Sequence, residues 1–524
     1  MGGPPGTGAG GGRGAGTGWG RRCRAGALGV GLALTTVALF LAGGEVYLRL
    51  RHPFLEASVP TRFDPRAGIL FEPGTTIRWT NSVDYWTTSR ANALGFADRE
   101  PPTTRPAGTC RVAVIGDSFV EAIQVPIEQK LHVVFEREAN RRLAAHRWQA
   151  VAFARSGTGQ ANQLAFYDVF ARPLRPDVVV LVVVRNDLAD NSPLLASVRN
   201  GWHPLHPPYR FFIRAADGRH FTEIPIDEQW LRYRVALADP PPPPASTAQT
   251  LHAALMPASA FYRWTFKYAQ VRHPALARHL VPFTPDELSA FRLAALDRLD
   301  DVAGRPLAEG WRYPDDLNMD AMFYAAALPP VFEEALAETG HALDEFVQRS
   351  HRDGFHLVAL ASDGLSLRYR PGTVAYGRAM VDRGYFQRVA RLMAERSIPL
   401  VDLYDSMTAR GLDPARAHFE LDAHWNSAGH AAASEALLDY FAHHPEVCGP
   451  GAPPGVSSRH RRDGGRLPAD GGDRISGGEG AAEAPVSDDV VTSAQESVAL
   501  AANQHQAGPA SYLSVLTAQT IALT

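Results

Sequence analysis

The first pattern along the chain is an uncharged run, Ala25–Gly44 (AGALGVGLALTTVALFLAGG), preceded by a Gly-rich stretch carrying Arg13, Arg21, Arg22 and Arg24. About 20 apolar residues at a rise of 1.5 Å suffice to cross a hydrocarbon core of about 30 Å. Beyond it the pattern changes to short apolar runs alternating with amphipathic stretches. Arg111–Ile115 (RVAVI) and Trp148–Ala154 read as strands, with a helix predicted between them over Pro126–His146. Asp177–Val184 (DVVVLVVV) is the clearest buried strand. A helix at Val331–Arg349, a strand at Phe355–Ala361, a helix at Arg378–Arg396 and a strand at Pro399–Leu403 follow. Continuous β-branched runs, as opposed to alternating ones, require apolar neighbours on both faces. The βαβα order therefore predicts an α/β protein with an open, doubly wound parallel sheet.

Two regions break this rhythm. Between about 195 and 325 lie Pro240–Pro244, scattered aromatics and helical pieces such as Asp286–Asp300, read as an inserted, cap-like region over the catalytic face. From 446 to 524 the chain is Gly-, Pro- and Ser-rich with little apolar periodicity, the composition of a disordered tail. The resulting division is a cytoplasmic segment 1–24, an anchor 25–44, a linker and lead-in 45–106, a catalytic domain 107–445 and the tail.

The basic flank before the apolar run favours a cytoplasmic N-terminus, although Arg49 and Arg51 lie beyond it. A cleaved signal peptide is the rival, since Ala42-Gly43-Gly44 is small. Because Glu45–Leu50 (EVYLRL) continues a helix without a break, an uncleaved anchor is the preferred reading. Both place everything after residue 50 outside the cytoplasm.

Composition adds mainly exclusions. With 45% hydrophobic residues in 524, a wholly disordered chain is excluded. A formal net charge of -3 offers no general reason to expect nucleic-acid binding. Of 52 basic residues only Lys130 and Lys267 are lysines, a skew that points to a GC-rich genome. Cys23, Cys110 and Cys448 are odd in number and far apart, giving neither a disulfide framework nor a metal spacing, and read as incidental.

Ligands of open parallel sheets bind outside the carboxyl ends of the strands, and three motifs fall there. Gly116-Asp117-Ser118 follows RVAVI. A serine at a strand-to-helix turn exposes its hydroxyl and can aim its amide at a developing oxyanion, though Gly-Asp-Ser is also ordinary turn chemistry. Ser156-Gly157-Thr158-Gly159 follows the next strand, where glycine lets a backbone N–H approach a substrate oxygen. Asn186-Asp187 follows DVVVLVVVR, where an Asn amide can supply a further oxyanion donor or merely cap a helix. Near the end of the domain stands Asp422-Ala423-His424-Trp425-Asn426. Residues two apart in an extended segment project together, so Asp422 can fix the tautomer of His424. His430, just downstream, reads as a structural histidine on a helix.

In this order the four pieces resemble the SGNH hydrolase (GDSL-type esterase) superfamily. The resemblance rests on GDSFVEA, SGTG, VRNDLADN and LDAHWNSAGH, with Asn92-Ala93-Leu94-Gly95-Phe96 similar to a segment of membrane-anchored members. It covers about residues 90–195 and 325–442. It implies a flavodoxin-like three-layer α/β/α fold with Ser118 as nucleophile, His424 as general base and Asp422 orienting it. The amides of Ser118 and Gly157 and the side chain of Asn186 would form the oxyanion hole. Val184 stands where the family has glycine and would narrow the pocket, and the Asp-x-His-Trp-Asn form is similar to exopolysaccharide-acetylation relatives.

The resemblance thus implies an extracytoplasmic serine esterase working without a cofactor or metal. Its expected partners are the membrane, through the N-terminal helix, and an ester-bearing substrate, an acylated carbohydrate carrying acetyl or another short acyl group. If a sugar hydroxyl replaces water as acceptor the same chemistry makes an O-acyltransferase. A catalytically idle glycan-binding or assembly protein, and a lipid or thioester substrate, are the other readings.

Overall fold

The computed structural model describes residue 2 and residues 17–52, 54, 57–200, 210–215, 217–224, 246–272, 319–362, 371–375 and 377–448. A single helix, α1 (Thr17–Arg51), carries the apolar run through without interruption, and Ala27–Arg51 is long and apolar enough to cross a membrane. Leu28, Val30, Leu32, Leu34, Val37, Leu39 and Phe40 on it are exposed, so the described chain does not cover them.

The stretch expected as linker and lead-in is folded. β1 (Thr61–Asp64) pairs antiparallel with β2 (Gly68–Phe71), and β3 (Thr76–Thr80) with β4 (Trp86–Arg90). Its buried Asn92 side chain accepts hydrogen bonds from the amides of Leu94 and Phe96, and Phe96 packs edge-on against Phe153, Phe166 and Phe170. The segment thus contributes to the main core.

The main sheet begins with β5 (Thr109–Gly116), followed by the four-residue helix α2 (Ser118–Glu121) and by α3 (Leu131–Arg142). α3 starts later than the predicted Pro126 because Lys130 is extended and fully buried, donating from Nζ to the carbonyls of Ala97 (2.5 Å) and Glu121 (2.6 Å). β6 (Arg147–Ala154), α4 (Gln160–Phe166), β7 (Val178–Val183) and α5 (Asp187–Asp190) come next. After the insertion, the sheet resumes with α6 (Pro330–Asp353), β8 (His356–Ala361), α7 (Gly384–Glu395), β9 (Leu400–Asp402), α8 (Leu403–Ala409) and α9 (Ser427–His443). α7 begins only at Gly384, after Arg383, which is left-handed (φ 56) and pairs with Asp402 at 2.6 Å.

All five strands are parallel, in the order β9-β8-β7-β5-β6. The chain starts in the middle, steps to one edge, then crosses β5 to build the other half. Every residue of β5 and β7 is buried. Side chains alternate between two core layers, as a period-2 strand requires. Ile115, Phe153, Leu181 and Ala359 pack with α4, α6 and α7, while Val114, Ala152, Val180 and Val358 pack with α3, α8 and α9. The result is the three-layer α/β/α arrangement.

Two of the described parts of the insertion form separate small units. Phe211–Arg214 and Phe221–Ile224 form a hairpin on α6, with Phe212 edge-on to His341 and Arg214 paired to Glu334 at 3.2 Å. Helices Thr247–Ala258 and Ala260–Arg272 form a pair that meets the end of α1. There Glu45 accepts from the amides of Ala260 and Phe261, and Phe40 lies edge-on to Phe261. Pro240–Pro244 and Asp286–Asp300 lie outside the described residues.

The cysteines require a correction. Cys110 and Cys448 form a disulfide with Cα atoms 5.4 Å apart across 338 residues of sequence. Spacing along the chain carried no trace of this pairing, because the topology alone brings the start of β5 beside the turn Pro445–Cys448. The turn is therefore fastened to the sheet and is no part of a loose tail; residues 449–524 lie outside the described residues.

Candidate active site

The order of the sheet fixes where chemistry can gather. β5 and β7 are neighbours whose following helices lie on opposite faces, so their carboxyl ends open a crevice at the point where the winding reverses. Ser118 lies just beyond one of these strands and Asn186 just beyond the other.

Gly116 permits the sharp strand-to-helix turn: a Cβ there would stand 2.6 Å from Val120 Cγ2 and 3.3 Å from Val182 Cβ. Asp117 caps α2 by accepting from the Phe119 amide at 2.9 Å. Ser118, partly exposed, is thereby presented at the first position of the helix. Its Oγ lies 2.8 Å from His424 Nε2, and a longer contact of 3.3 Å leads to Asp117 Oδ2.

His424 and Asp422 sit on the loop before α9, which is closed by the pairing of His418 with Trp425. Asp422 Oδ1 accepts from the backbone amide of His424 at 3.0 Å and is hydrogen-bonded to His424 Nδ1. With the carboxylate on Nδ1, the neutral imidazole carries its proton there and offers Nε2 as acceptor to Ser118. Each of the two side chains keeps 14% exposure.

Electrostatics follow from this pairing. Burial favours neutral Asp422, yet the His424 charge and the hydrogen bonds from His424 and Tyr85 outweigh it and hold the carboxyl at about 2. Burial also disfavours charged His424, but the charge and hydrogen bond of Asp422 raise it above 6.5.

The remaining expected groups are also placed. Gly157 is left-handed (φ 72) in the loop between β6 and α4, a conformation that favours glycine. Asn186 is buried at the start of α5, but its side chain does not cap the helix. Its Nδ2 instead donates to Asp117 Oδ2 (2.7 Å) and to Asp190 Oδ2 (2.9 Å). Val184 is buried in the same core cluster as Trp425, so its methyl groups fill core and do not narrow an open pocket. His430 lies on α9, fully buried, with Nδ1 accepting from the Leu131 amide at 3.3 Å; burial pulls it down to about 3 and it stays neutral.

Sequence reasoning missed the carboxylates behind Asn186 and the tyrosine on Asp422. Asp117 and Asp187 are fully buried, and burial raises both, Asp187 well above 3.8. Asp187 Oδ2 accepts from Val184 N and Gln160 Nε2, while Oδ1 has no hydrogen-bond partner among the described residues. Tyr85 Oη donates to Asp422 Oδ2 at 2.6 Å from 337 residues upstream. No group of ligating side chains suited to a metal occurs among the described residues.

No family model and no curated protein matches the chain. Among solved structures, similarity extends to TesA (9% identity, TM-score 0.29, covering 63% of this chain and 97% of that one). An acetyl xylan esterase, AlAXEase, is similar at 8% identity and TM-score 0.27 over 63% of this chain and 98% of its own. The lipase/acylhydrolase from Enterococcus faecalis is similar at 9% identity and TM-score 0.25, over 64% and 96%. These likenesses are too loose to carry a functional reading, which rests on the side-chain geometry.

Proposed function

We propose that the protein is a serine esterase of SGNH type, anchored by its N-terminal helix with the catalytic domain outside the cytoplasm, and that it removes short acyl groups, acetyl foremost, from a glycan. The observation that carries this reading is the 2.8 Å contact of Ser118 Oγ with His424 Nε2, with Asp422 on the other ring nitrogen. Ser118 Oγ attacks the ester carbonyl carbon while its proton passes to Nε2. The amides of Ser118 and Gly157 and the Asn186 side chain take the developing negative charge. Collapse expels the sugar hydroxyl, which receives the proton from His424. Water, deprotonated by His424, then cleaves the acyl-enzyme and releases the carboxylic acid.

Location draws support from two features. Disulfides such as Cys110–Cys448 persist in oxidising compartments. An exposed apolar helix surface of this extent is what a bilayer covers. The test is incubation of the full chain in detergent micelles with a fluorophosphonate probe, followed by intact mass, then assay of acetate release from an acetylated xylo-oligosaccharide. One adduct on wild type, none on Ser118→Ala and acetate release are expected. A folded wild type that takes no adduct would overturn the esterase reading.

A further inference from the structure

The hairpin β3–β4 has no place in the reaction as described, yet it touches both halves of the site. At one end, Thr87 Oγ1 on β4 donates to the carbonyl of Ile123, just after the helix that presents Ser118. At the tip, Asp84 Oδ2 accepts from the Leu421 amide at 2.9 Å, and Tyr85 Oη donates to Asp422 Oδ2 at 2.6 Å. The tip itself is rigid. Asn81 Oδ1 accepts from the amides of Val83 (3.0 Å) and Asp84 (2.8 Å), and Thr80 Oγ1 donates to the Tyr85 carbonyl at 2.7 Å. The Tyr85 ring is 7% exposed and packs 4.9 Å from Phe419, on the loop that carries Asp422.

Asp422 divides its two oxygens: Oδ1 takes both hydrogen bonds to His424, and Oδ2 takes Tyr85. A carboxylate held at Oδ1 alone could still pivot about its Cβ–Cγ bond, and every degree of pivot misaligns the imidazole. We propose that Tyr85 is a positioning residue for acyl transfer, fixing the Asp422 carboxylate through Oδ2 so that His424 Nε2 stays aimed at Ser118. Burial and the Asp422 charge keep the phenol protonated well beyond the ordinary tyrosine range, so it donates at every working pH. This rests on the esterase reading and names a group that acts only through Asp422. The other charges facing the pair are Asp117, Arg185 and His418 toward His424, and Asp84 beside Asp422, with Glu420 acting on Asp84.

The test compares wild type with Tyr85→Phe, which keeps the ring and its packing, and with 3-fluorotyrosine placed at position 85, whose hydroxyl is more acidic. All use the full chain in micelles. Fluorophosphonate labelling rates are read across roughly pH 5 to 9, together with the far-downfield Nδ1 proton of His424, assigned by its loss in His424→Gln. Without its donor, Asp422 becomes more basic and holds the imidazolium more strongly. Tyr85→Phe should label about 10-fold more slowly because the carboxylate is no longer held, and its greater basicity should displace the pH limb upward; fluorotyrosine should displace it downward. Unchanged rates and limb, or slower labelling with an unmoved limb and lower melting temperature, would overturn the proposal and leave the esterase reading standing. If wild type takes no label, the esterase reading fails by itself. The Nδ1 proton then tests the hydrogen-bonded contact by itself: a shift in Tyr85→Phe supports Tyr85 setting the Asp422–His424 geometry, and an unmoved resonance overturns it.

Discussion

Asn186 Nδ2 reaches Asp117 Oδ2 at 2.7 Å, which ties the turn after β7 to the residue immediately before Ser118. The second amide hydrogen goes to Asp190 Oδ2 at 2.9 Å, so both donors already have acceptors. An oxyanion can draw on this amide only by displacing one of the carboxylates, and the same group keeps those two buried carboxylates apart. Asn186→Ala should lower kcat by about 10²–10³ and also lower the melting temperature, whereas Ser118→Ala should leave stability nearly unchanged. Steady-state kinetics with an aryl acetate and thermal denaturation check both. An effect confined to KM would mean that Asn186 only positions substrate.

Asp187 makes a separate prediction about stability and pH. Its carboxyl is fully buried and raised well above 3.8, first by burial and then by the Asp117 charge. A carboxyl raised on folding stabilises fully below its unfolded value, and that contribution is lost as pH rises toward its folded value. Asp187→Asn removes the titration, so its stability relative to wild type should improve from acid to neutral pH. Urea denaturation at about pH 4 and about pH 8 measures the difference. A gap between the two proteins that does not change with pH would contradict the raised carboxyl.

Much of this was legible in the chain. DVVVLVVV reads as a strand covered on both faces, and GDS, SGTG and the Asn186-Asp187 pair stand at strand ends, where open sheets bind ligands; each is weak alone, and their joint order with DAHW carries the reading. The structure places Ser118, His424 and Asp422 in one hydrogen-bonded row. What stayed hidden depended on contacts across the whole chain. Tyr85 meets Asp422 over 337 residues, and Cys110 meets Cys448 over 338, with no local pattern marking either. The start of α3 has a related cause: buried Lys130 takes distant carbonyls as partners and is extended, so the helix begins after it.

The Cys110–Cys448 bond closes nearly the whole catalytic domain into one loop and joins its last turn to the first residues of β5. Cys448→Ser should cost about 2–5 kcal/mol of unfolding free energy while leaving probe labelling of Ser118 unchanged at room temperature, since the bond lies at the amino end of β5 and Ser118 beyond its carboxyl end. Guanidinium denaturation of wild type with and without reductant gives the same comparison without mutation. A wild-type midpoint indifferent to reductant would mean that the bond carries no stability.

Gly157 is the least replaceable of the proposed oxyanion donors, because its φ of 72 lies where a Cβ is strained. Gly157→Ala should cost about 1–2 kcal/mol of stability and, by displacing the amide, lower kcat more than it raises KM. Equal kcat in a folded variant would remove its amide from the oxyanion hole.

The pH dependence of the reaction tests the pairing of His424 with Asp422. Only neutral His424 can take the Ser118 proton, so kcat/KM should climb with pH and reach half its plateau above 6.5, because Asp422 raises the imidazole against the opposing effect of burial. Asp422 itself, held at about 2, remains charged throughout that climb and adds no second limb. In Asp422→Asn the raising influence disappears and burial remains, so the limb should move to lower pH, with kcat reduced on the order of 10⁴-fold as the imidazole loses its preferred tautomer. The direction separates this variant from Tyr85→Phe, whose limb should move upward because there the carboxylate survives and becomes more basic. Opposite displacements from two changes on one hydrogen-bonded chain, Tyr85–Asp422–His424, are not expected from general loosening of the site, which would lower both rates without assigning either limb a sign.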